Sequence, residues 1–597
     1  MKTSPRLRQI VRWLDNNLLM VLATFLIVFI PLYPKIPLFS PIEQYTVRVR
    51  LEDILVTITA LIWLVQFARN KVRLKVVTSL VITAYLAVGL LSVLSAMFVT
   101  QTVPLQPLHV SKTGLHLLRN IEYFTLFFIS ISAMRTRRQL QIFLGAIAAS
   151  VIAIGVYGYG QKFWYWPVYS TMNREFSKGV RLYLTEHARV QSTFAGHYDL
   201  GAYLVITGPV LLASFFFTKT KLFRLLIGVS ILWSSWLLVV SSARSSFFAY
   251  LVGTTLFLLA YGLFQRGWRR RLGWIVTRLA AFYAVIAVMM IYFGADIYDR
   301  FLQILEGYPN ANSTYHQLNH QRKQLANFGF ELINTQGIAD RPAQPPPNSL
   351  SLDEARVIVA SDQRPVAQRP DQANSESDGS QPSDNANQSP RPRDVYVDVP
   401  DVVEVASKSA SGGATTVLVE RDRVWSRCAT ERSLSLCIRL ETLWPKAVNG
   451  FLANPLLGSG YATLNKDAPG QFTVAESTDN NFLRTLGETG LLGFITFYGV
   501  IAATFWFILK SFKAQSDFAK VLSLAYLAAS LGLLINALYI DVYVASKVAF
   551  TYWALTGAVL GYVMSERRPA AQFRDGWQSF QHWRLFGPSS ASKESKR

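Results

Sequence analysis

Residues 198–264 read YDLGAYLVITGPVLLASFFFTKTKLFRLLIGVSILWSSWLLVVSSARSSFFAYLVGTTLFLLAYGLF. Three long apolar runs lie here back to back, split only by TKTKLFR and by SSARSS. A bilayer core about 30 Å thick is crossed by roughly 20 apolar residues in a helix. In lipid a helix satisfies its own backbone groups, so each run is read as a transmembrane helix. The first connector is basic and the second is very short, as expected when the chain turns first on one side of a membrane and then on the other.

Working outward, comparable runs fall at 18–34, 51–68, 76–99, 115–134, 139–160, 198–218, 224–242, 246–264, 274–294, 486–509, 521–540 and 546–565. The predicted fold class is therefore an all-α integral membrane protein of about 12 transmembrane helices, with a large extracytoplasmic loop between the ninth and tenth. The expected layout has four parts. Nine helices occupy 1–294, a loop spans 295–485, three helices span 486–565, and a tail covers 566–597.

The chain has 597 residues, a net charge of +22 and a mean hydropathy of +0.25. In a soluble protein such basicity would point to nucleic acid. Here the cations fall in alternate short connectors: Arg69, Lys71, Arg73 and Lys75; Arg135, Arg137 and Arg138; Lys219, Lys221 and Arg224; Arg266 and Arg269 to Arg271; Lys510, Lys513 and Lys520. The N-terminal tail (Lys2, Arg6, Arg8, Arg12) and Arg567 and Arg568 continue the series. The positive-inside rule then puts both termini in the cytoplasm of a multi-pass protein, with no nucleic-acid partner. The first run is too long for a cleavable signal peptide, and no small-residue cleavage site follows it.

Within the large loop, about 338–415 is rich in Pro, Ser, Asn, Asp and Gln, as in RPAQPPPNS and NSESDGSQPSDNANQSPRPR. Such a segment buries too little apolar area to offset its ordering entropy and is expected to be disordered. Its flanks VYVDVPDVVEV and TTVLVERD alternate as short strands do. Beyond them, Leu436, Leu440, Leu443, Ala447 and Phe451 recur at helical spacing and predict an amphipathic helix over about 431–453, lying on the outer membrane surface. Pro445 breaks or restarts that helix.

The only two cysteines are Cys428 and Cys437. A bridge between them requires the chain to turn, because a straight helix would hold them roughly 13.5 Å apart. No Cys/His metal pattern occurs, and no metal or cofactor is expected.

Several charged residues converge on the predicted outer side. Arg244 sits in SSARSS, where outer connectors should not collect arginine. Its bland reading is a snorkelling side chain. Arg432 and Arg439 are seven apart, on one face of the predicted helix; that face is otherwise a solvated polar stripe. Arg189 leads RVQSTFAGHYDLGAYL, and its alternative is a loop salt bridge. His197 follows at the membrane boundary, where a lone histidine is usually a hydrogen-bonded interfacial residue. Asp479 precedes the tenth helix and competes with an N-cap reading. Arg484 and Glu488 have i,i+4 pairing spacing. Arg119 and Glu122 fall inside the fourth run and must face the protein interior.

The segment NPLLGSGYATL (454–464), followed by STDNNFLRTLGETGLLGF (477–494), resembles the C-terminal signature of the O-antigen ligase and polymerase superfamily. RVQSTFAGHYDLGAYLVITGPVLL, SSARSS and RLETLWPKAV resemble its arginine-bearing elements, in the same order. The resemblance covers about 180–260 and 430–510. It implies a membrane glycosyltransferase of GT-C type in a bacterial inner membrane. The donor would be a glycan on polyprenyl (undecaprenyl) diphosphate, and the acceptor a sugar or glycolipid. Where ligases of that family carry a His-Asn pair, this chain has Asp479 and Asn480, which tilts the reading toward a polymerase or a ligase for another glycan. On this reading Asp479, Arg244 and Arg439 are catalytic, while Arg189, Arg432, His197 and Asn480 bind the diphosphate or glycan. The competing reading is a transporter or flippase of lipid-linked oligosaccharide, which should carry internal repeats and broken midplane helices. A structural or sensory protein is the third.

Overall fold

A computed structural model describes residues 5–41, 48–72, 76–171, 177–184, 188–265, 267–306, 401–408, 414–421, 426–431, 434–464 and 477–566, together with positions 317, 320 and 324. Nine long helices come first: α1 (Pro5–Leu32), α2 (Leu51–Ala68), α3 (Val77–Phe98), α4 (Pro107–Ala133), α5 (Arg137–Phe163), α6 (His197–Phe217), α7 (Lys221–Val240), α8 (Arg244–Gly262) and α9 (Trp268–Phe293). The shorter α10 (Ala295–Glu306) follows. After the large loop come α11 (Trp444–Ala453), α12 (Asn481–Ser511), α13 (Asp517–Asn536) and α14 (Ser546–Glu566).

Among the described residues, eleven helices are long and apolar enough to cross a membrane. The twelfth, α4, is 27 residues long but dilutes its apolar run with Lys112, Arg119, Asn120 and Glu122. It still traverses the bundle. Thr113 near its start bonds the Tyr461 carbonyl, and Arg135 just past its end bonds that of Lys71. The protein is thus an all-α, multi-pass membrane protein. Helices begin earlier than hydropathy marks them, at Pro107 rather than 115 and at Asn481 rather than 486, because polar turns extend the helices past the apolar windows.

Burial separates core from lipid-facing surface. In α14, 89% of the apolar window is buried inside the protein, against 22% in α2 and 11% in α9. The exposed side chains of α2 and α9 are apolar, including Leu61, Leu64, Val276 and Val288, as expected for a face in hydrocarbon. The central α14 packs tightly on α4 through Gly557 and Gly561. A Cβ on Gly557 would collide with the Phe127 carbonyl oxygen, and one on Gly561 would fall 2.6 Å from that of Ile131. This is the small-residue contact by which membrane helices approach closely.

The bundle has two distinct ends. At the end near both termini, Arg69 meets Asp15 at 2.6 Å, and Ser516 donates its amide to Glu566 at 3.1 Å. The opposite end, called distal below, gathers the connector after α1, the loop before His197, the 454–464 turn and the α13–α14 connector.

The expected strands are present. β1 (Asp401–Lys408) pairs antiparallel with β2 (Ala414–Arg421), Val403 opposite Val419. The predicted disorder over 338–415 therefore does not extend to residues 401–408 and 414–415; the rest of that stretch lies outside the described residues. The helix expected over 431–453 runs unbroken from Leu434 to Ala453, α-helical at Leu434–Ile438, widened to a π turn at Arg439–Leu443 and α-helical again through α11; a separate helical turn, Arg427–Glu431, precedes it. Pro445 does not break this run; it is the second residue of α11, directly after the π turn, and the chain stays helical across it. The chain turns sharply enough for Cys428 and Cys437 to join in a disulfide, their Cα atoms 5.8 Å apart. Arg432 lies outside the described residues.

Candidate functional site

Asn480 caps α12. Its Oδ1 accepts from the amides of Phe482 and Leu483, both at 3.0 Å. The capping role weighed for Asp479 therefore belongs to its neighbour, and Asn480 is a structural cap. Asp479 stays outside the helix at φ +50, a conformation Asp tolerates better than most residues. Its Oδ2 meets Nη2 of Arg439 at 2.9 Å, and its Oδ1 accepts from the Ser477 hydroxyl at 2.5 Å. The Asp479 side chain is 33% exposed, that of Arg439 only 10%.

Arg439 is fixed from several directions. Its Nη1 donates to the carbonyl and hydroxyl of Ser435 at 2.5 and 2.7 Å, and its guanidinium lies 5.9 Å from the Tyr539 ring centroid. The Cys428–Cys437 bridge closes the chain two residues before it. It opens the π turn, a distortion found often at functional sites.

Asp541, in the α13–α14 connector, holds the Asp479 turn in place. Its Oδ2 accepts from the Thr478 amide at 2.9 Å and its Oδ1 from the Asn480 amide at 3.1 Å. Nη1 of Arg484 donates to the same carboxylate at 3.0 Å, while Nη2 meets Glu488 at 3.3 Å. One carboxylate thus grips the backbone on both sides of Asp479. The nearby Asn481 ties the helix start to the same connector. Its amide donates to the Ala537 carbonyl, and its Oδ1 accepts from the Tyr543 amide.

The PLLGSG turn (455–460) serves a different purpose from the one its sequence suggests on its own. α12 is broken at Gly490, with φ +65. The carbonyls of Gly487 and Glu488 accept from the amides of Ser459 and Gly460, both at 2.9 Å. Past the break, the amides of Leu491 and Leu492 donate to the carbonyls of Pro455 and Leu456 at 2.8 and 3.1 Å. A Cβ on Gly490 would fall 2.5 Å from the Leu456 carbonyl oxygen, and one on Gly458 2.5 Å from the Glu488 carbonyl carbon. The turn repairs the broken helix, as membrane-level backbone requires. The break leaves Arg484 and Glu488 on the short distal segment, beside a cavity of about 30 Å³ that His116, Arg119 and Tyr543 also line. That is room for one water. Arg119 pairs with Asp53 at 2.5 Å and with Glu122 at 3.2 Å.

The remaining predicted residues lie on the same end but not in direct contact with this pair in any described bond. Arg189 bonds the His197 ring and the Tyr198 hydroxyl, the latter at 3.2 Å. His197 is buried and is the first residue of α6. Arg244 is the first residue of α8 and donates from Nη1 to the Arg300 carbonyl of α10 at 3.0 Å. A bridge links the two groups. Ser246 and the Asn536 amide bond at 3.0 Å, and Tyr539, three residues on, lies beneath Arg439.

Beneath the loop that carries Arg189 is a buried ionic cluster that sequence patterns did not reveal. Lys35 meets Glu52 at 2.7 Å and donates to Ser546 at 2.5 Å. Lys547 donates to the carbonyls of Pro31, Tyr33 and Thr193 at 2.9, 2.7 and 2.7 Å. Burial pushes the Lys35 ammonium below its ordinary value, and Glu52 opposes that shift. Lys547 thereby anchors the loop between α5 and α6 to the connector after α1.

Among the described residues no group of three His, Cys, Asp or Glu side chains could hold a metal ion. No protein-family model matches this chain, and no curated protein matches it.

Proposed function

We propose that this protein is a membrane glycosyltransferase that moves a glycan from polyprenyl diphosphate to a sugar acceptor, in the manner of O-antigen ligases and polysaccharide polymerases. The observation that carries the reading is the Arg439–Asp479 pair: a part-exposed carboxylate beside a nearly buried arginine, at the same end of the bundle as Arg189 and Arg244. Two residue types needed for the chemistry are thus adjacent.

In the reaction an acceptor hydroxyl attacks the anomeric carbon of the donor. Its proton passes to Asp479 as the new glycosidic bond forms. The bond from the anomeric carbon to the diphosphate oxygen breaks, and polyprenyl diphosphate departs with the electron pair. Arg439, with Arg244 and Arg189, supplies fork-shaped donors to the growing negative charge. Lipid-facing helices suit the polyprenyl chain, and the distal loops suit the glycan.

Sidedness is inferred from two independent features. Lys and Arg dominate the connectors at the end of the termini, and the disulfide lies at the other end. Positive charge collects in the cytoplasm and disulfides persist outside it, so the distal end is assigned to the extracytoplasmic side.

The break at Gly490 is the kind of feature a transporter would use. Here both of its edges are hydrogen-bonded by the 455–460 turn, which leaves that backbone engaged by protein. The test is a deletion strain, with surface glycan compared against the extracted polyprenyl-diphosphate fraction. Single repeats left on the carrier identify a polymerase, and long glycan stranded there identifies a ligase. No change in either fraction, in a strain without a redundant enzyme, refutes the proposal.

A further inference from the structure

At the end carrying both termini, a groove of about 390 Å³ opens on the outside of the bundle between α6 and α7. Its walls are apolar: Leu225, Val229 and Leu232 recur along one stripe of α7, facing Phe215 of α6. Leu225 is 64% exposed and Leu232 46%, so the groove is continuous with the lipid-facing surface. Gly228 adds no side chain to its floor; a Cβ there would meet only the Phe215 ring, at 3.5 Å. From Leu225 to Leu232 the groove runs roughly 10.5 Å along the helix.

The mouth is cationic. Lys221 and Arg224 line it, and Arg224 is held in place by two hydrogen bonds to the Thr218 carbonyl at 2.9 and 2.7 Å. Lys219 is exposed beside them. No Asp or Glu occurs anywhere in residues 200–295, which build α6 beyond its first turn and all of α7 through α9. Elsewhere at this end the cations are paired, as Asp15 meets both Arg69 and Lys71.

We infer that this groove is a binding site for an anionic glycerophospholipid of the surrounding membrane, its headgroup phosphate at Lys221 and Arg224 and one acyl chain along Leu225–Leu232. Cations set over an apolar slot between membrane helices match both halves of such a molecule. A zwitterionic lipid would fill the slot equally well but gain less at its mouth. The inference does not depend on the reaction proposed above.

The test uses the full chain purified in mild detergent, offered equimolar phosphatidylglycerol and phosphatidylethanolamine, with bound lipid read by native mass spectrometry. The wild type should retain phosphatidylglycerol preferentially, by roughly thirtyfold, the selectivity that two surface cations provide. K221Q/R224Q should lose the preference. Gly228→Leu, which fills the slot and keeps both cations, should lose the bound lipid with helix content unchanged. If that variant does not fold, Val229→Phe narrows the same groove. Equal retention of the two lipids by the wild type overturns the inference. So does undiminished retention in the slot-filling variant, or an unchanged preference in K221Q/R224Q.

Discussion

Replacing Asp541 by alanine should disable the protein without touching any residue assigned to the chemistry. The carboxylate accepts the amides of Thr478 and Asn480 and one arm of Arg484. Thr478 is 1% exposed and Asn480 8%, so their amides have little access to replacement water. Each buried donor left without a partner costs about 1–3 kcal/mol, and a lost hydrogen bond to a charged group a similar amount. The three together come to about 3–9 kcal/mol before any relaxation, enough to release the turn that holds Asp479 at φ +50. Misplacement of a reacting group by about 1 Å costs on the order of 10²-fold in rate. Asp541→Asn keeps one acceptor oxygen but presents an NH₂ to the remaining donors, and should fall between alanine and wild type. The assay pairs the transfer rate with thermal unfolding in one detergent. A wild-type rate and midpoint in Asp541→Ala would refute the positioning role.

Arg439→Ala and Arg244→Ala should each lower transfer about 10²–10³-fold while membrane insertion, read by protease accessibility, stays normal; an active variant removes that arginine from the mechanism. Asp479→Asn should be as damaging yet leave the α12 cap in place, because Asn480 supplies it, whereas Asn480→Ala should cost about 1 kcal/mol of stability. Gly490→Ala must place a Cβ against the Leu456 backbone at positive φ, so the expressed protein should unfold at markedly lower temperature; an unchanged midpoint would mean the turn yields freely. Deleting residues 345–400, a Pro- and Ser-rich stretch, should leave transfer largely intact in the same assay.

Much of the fold was legible because each membrane helix leaves a local signature: an apolar run of fixed length bounded by signed connectors. The site was legible only where it coincided with a local pattern, as at STDNNF and RLETLWPKAV. Asp541 was not, although a lone acid in the apolar connector ALYIDVYVA was a signal available to be read. Its partners lie more than fifty residues away, and no periodicity records them. The break at Gly490 was hidden because hydropathy runs smoothly through it, and what compensates the break is a separate turn far upstream, at 455–460. The helix expected over 431–453 is present from Leu434 to Ala453, and only its widening at Arg439–Leu443 was illegible, because a π segment leaves the apolar spacing nearly unchanged. Lys547 stands at the head of an apolar run, where a lysine is indistinguishable in sequence from a boundary marker; its three carbonyl partners are tertiary.

The most direct test of the central claim is reconstitution. Purified protein in lipid nanodiscs would receive a polyprenyl-diphosphate-linked glycan and a sugar acceptor, with carrier and glycan followed separately by mass spectrometry. The account predicts one free polyprenyl diphosphate for each new glycosidic bond, and about 10²–10³-fold slower formation of both products with Asp479→Asn. An intact donor after prolonged incubation with the folded protein, or equal turnover by Asp479→Asn, would contradict it.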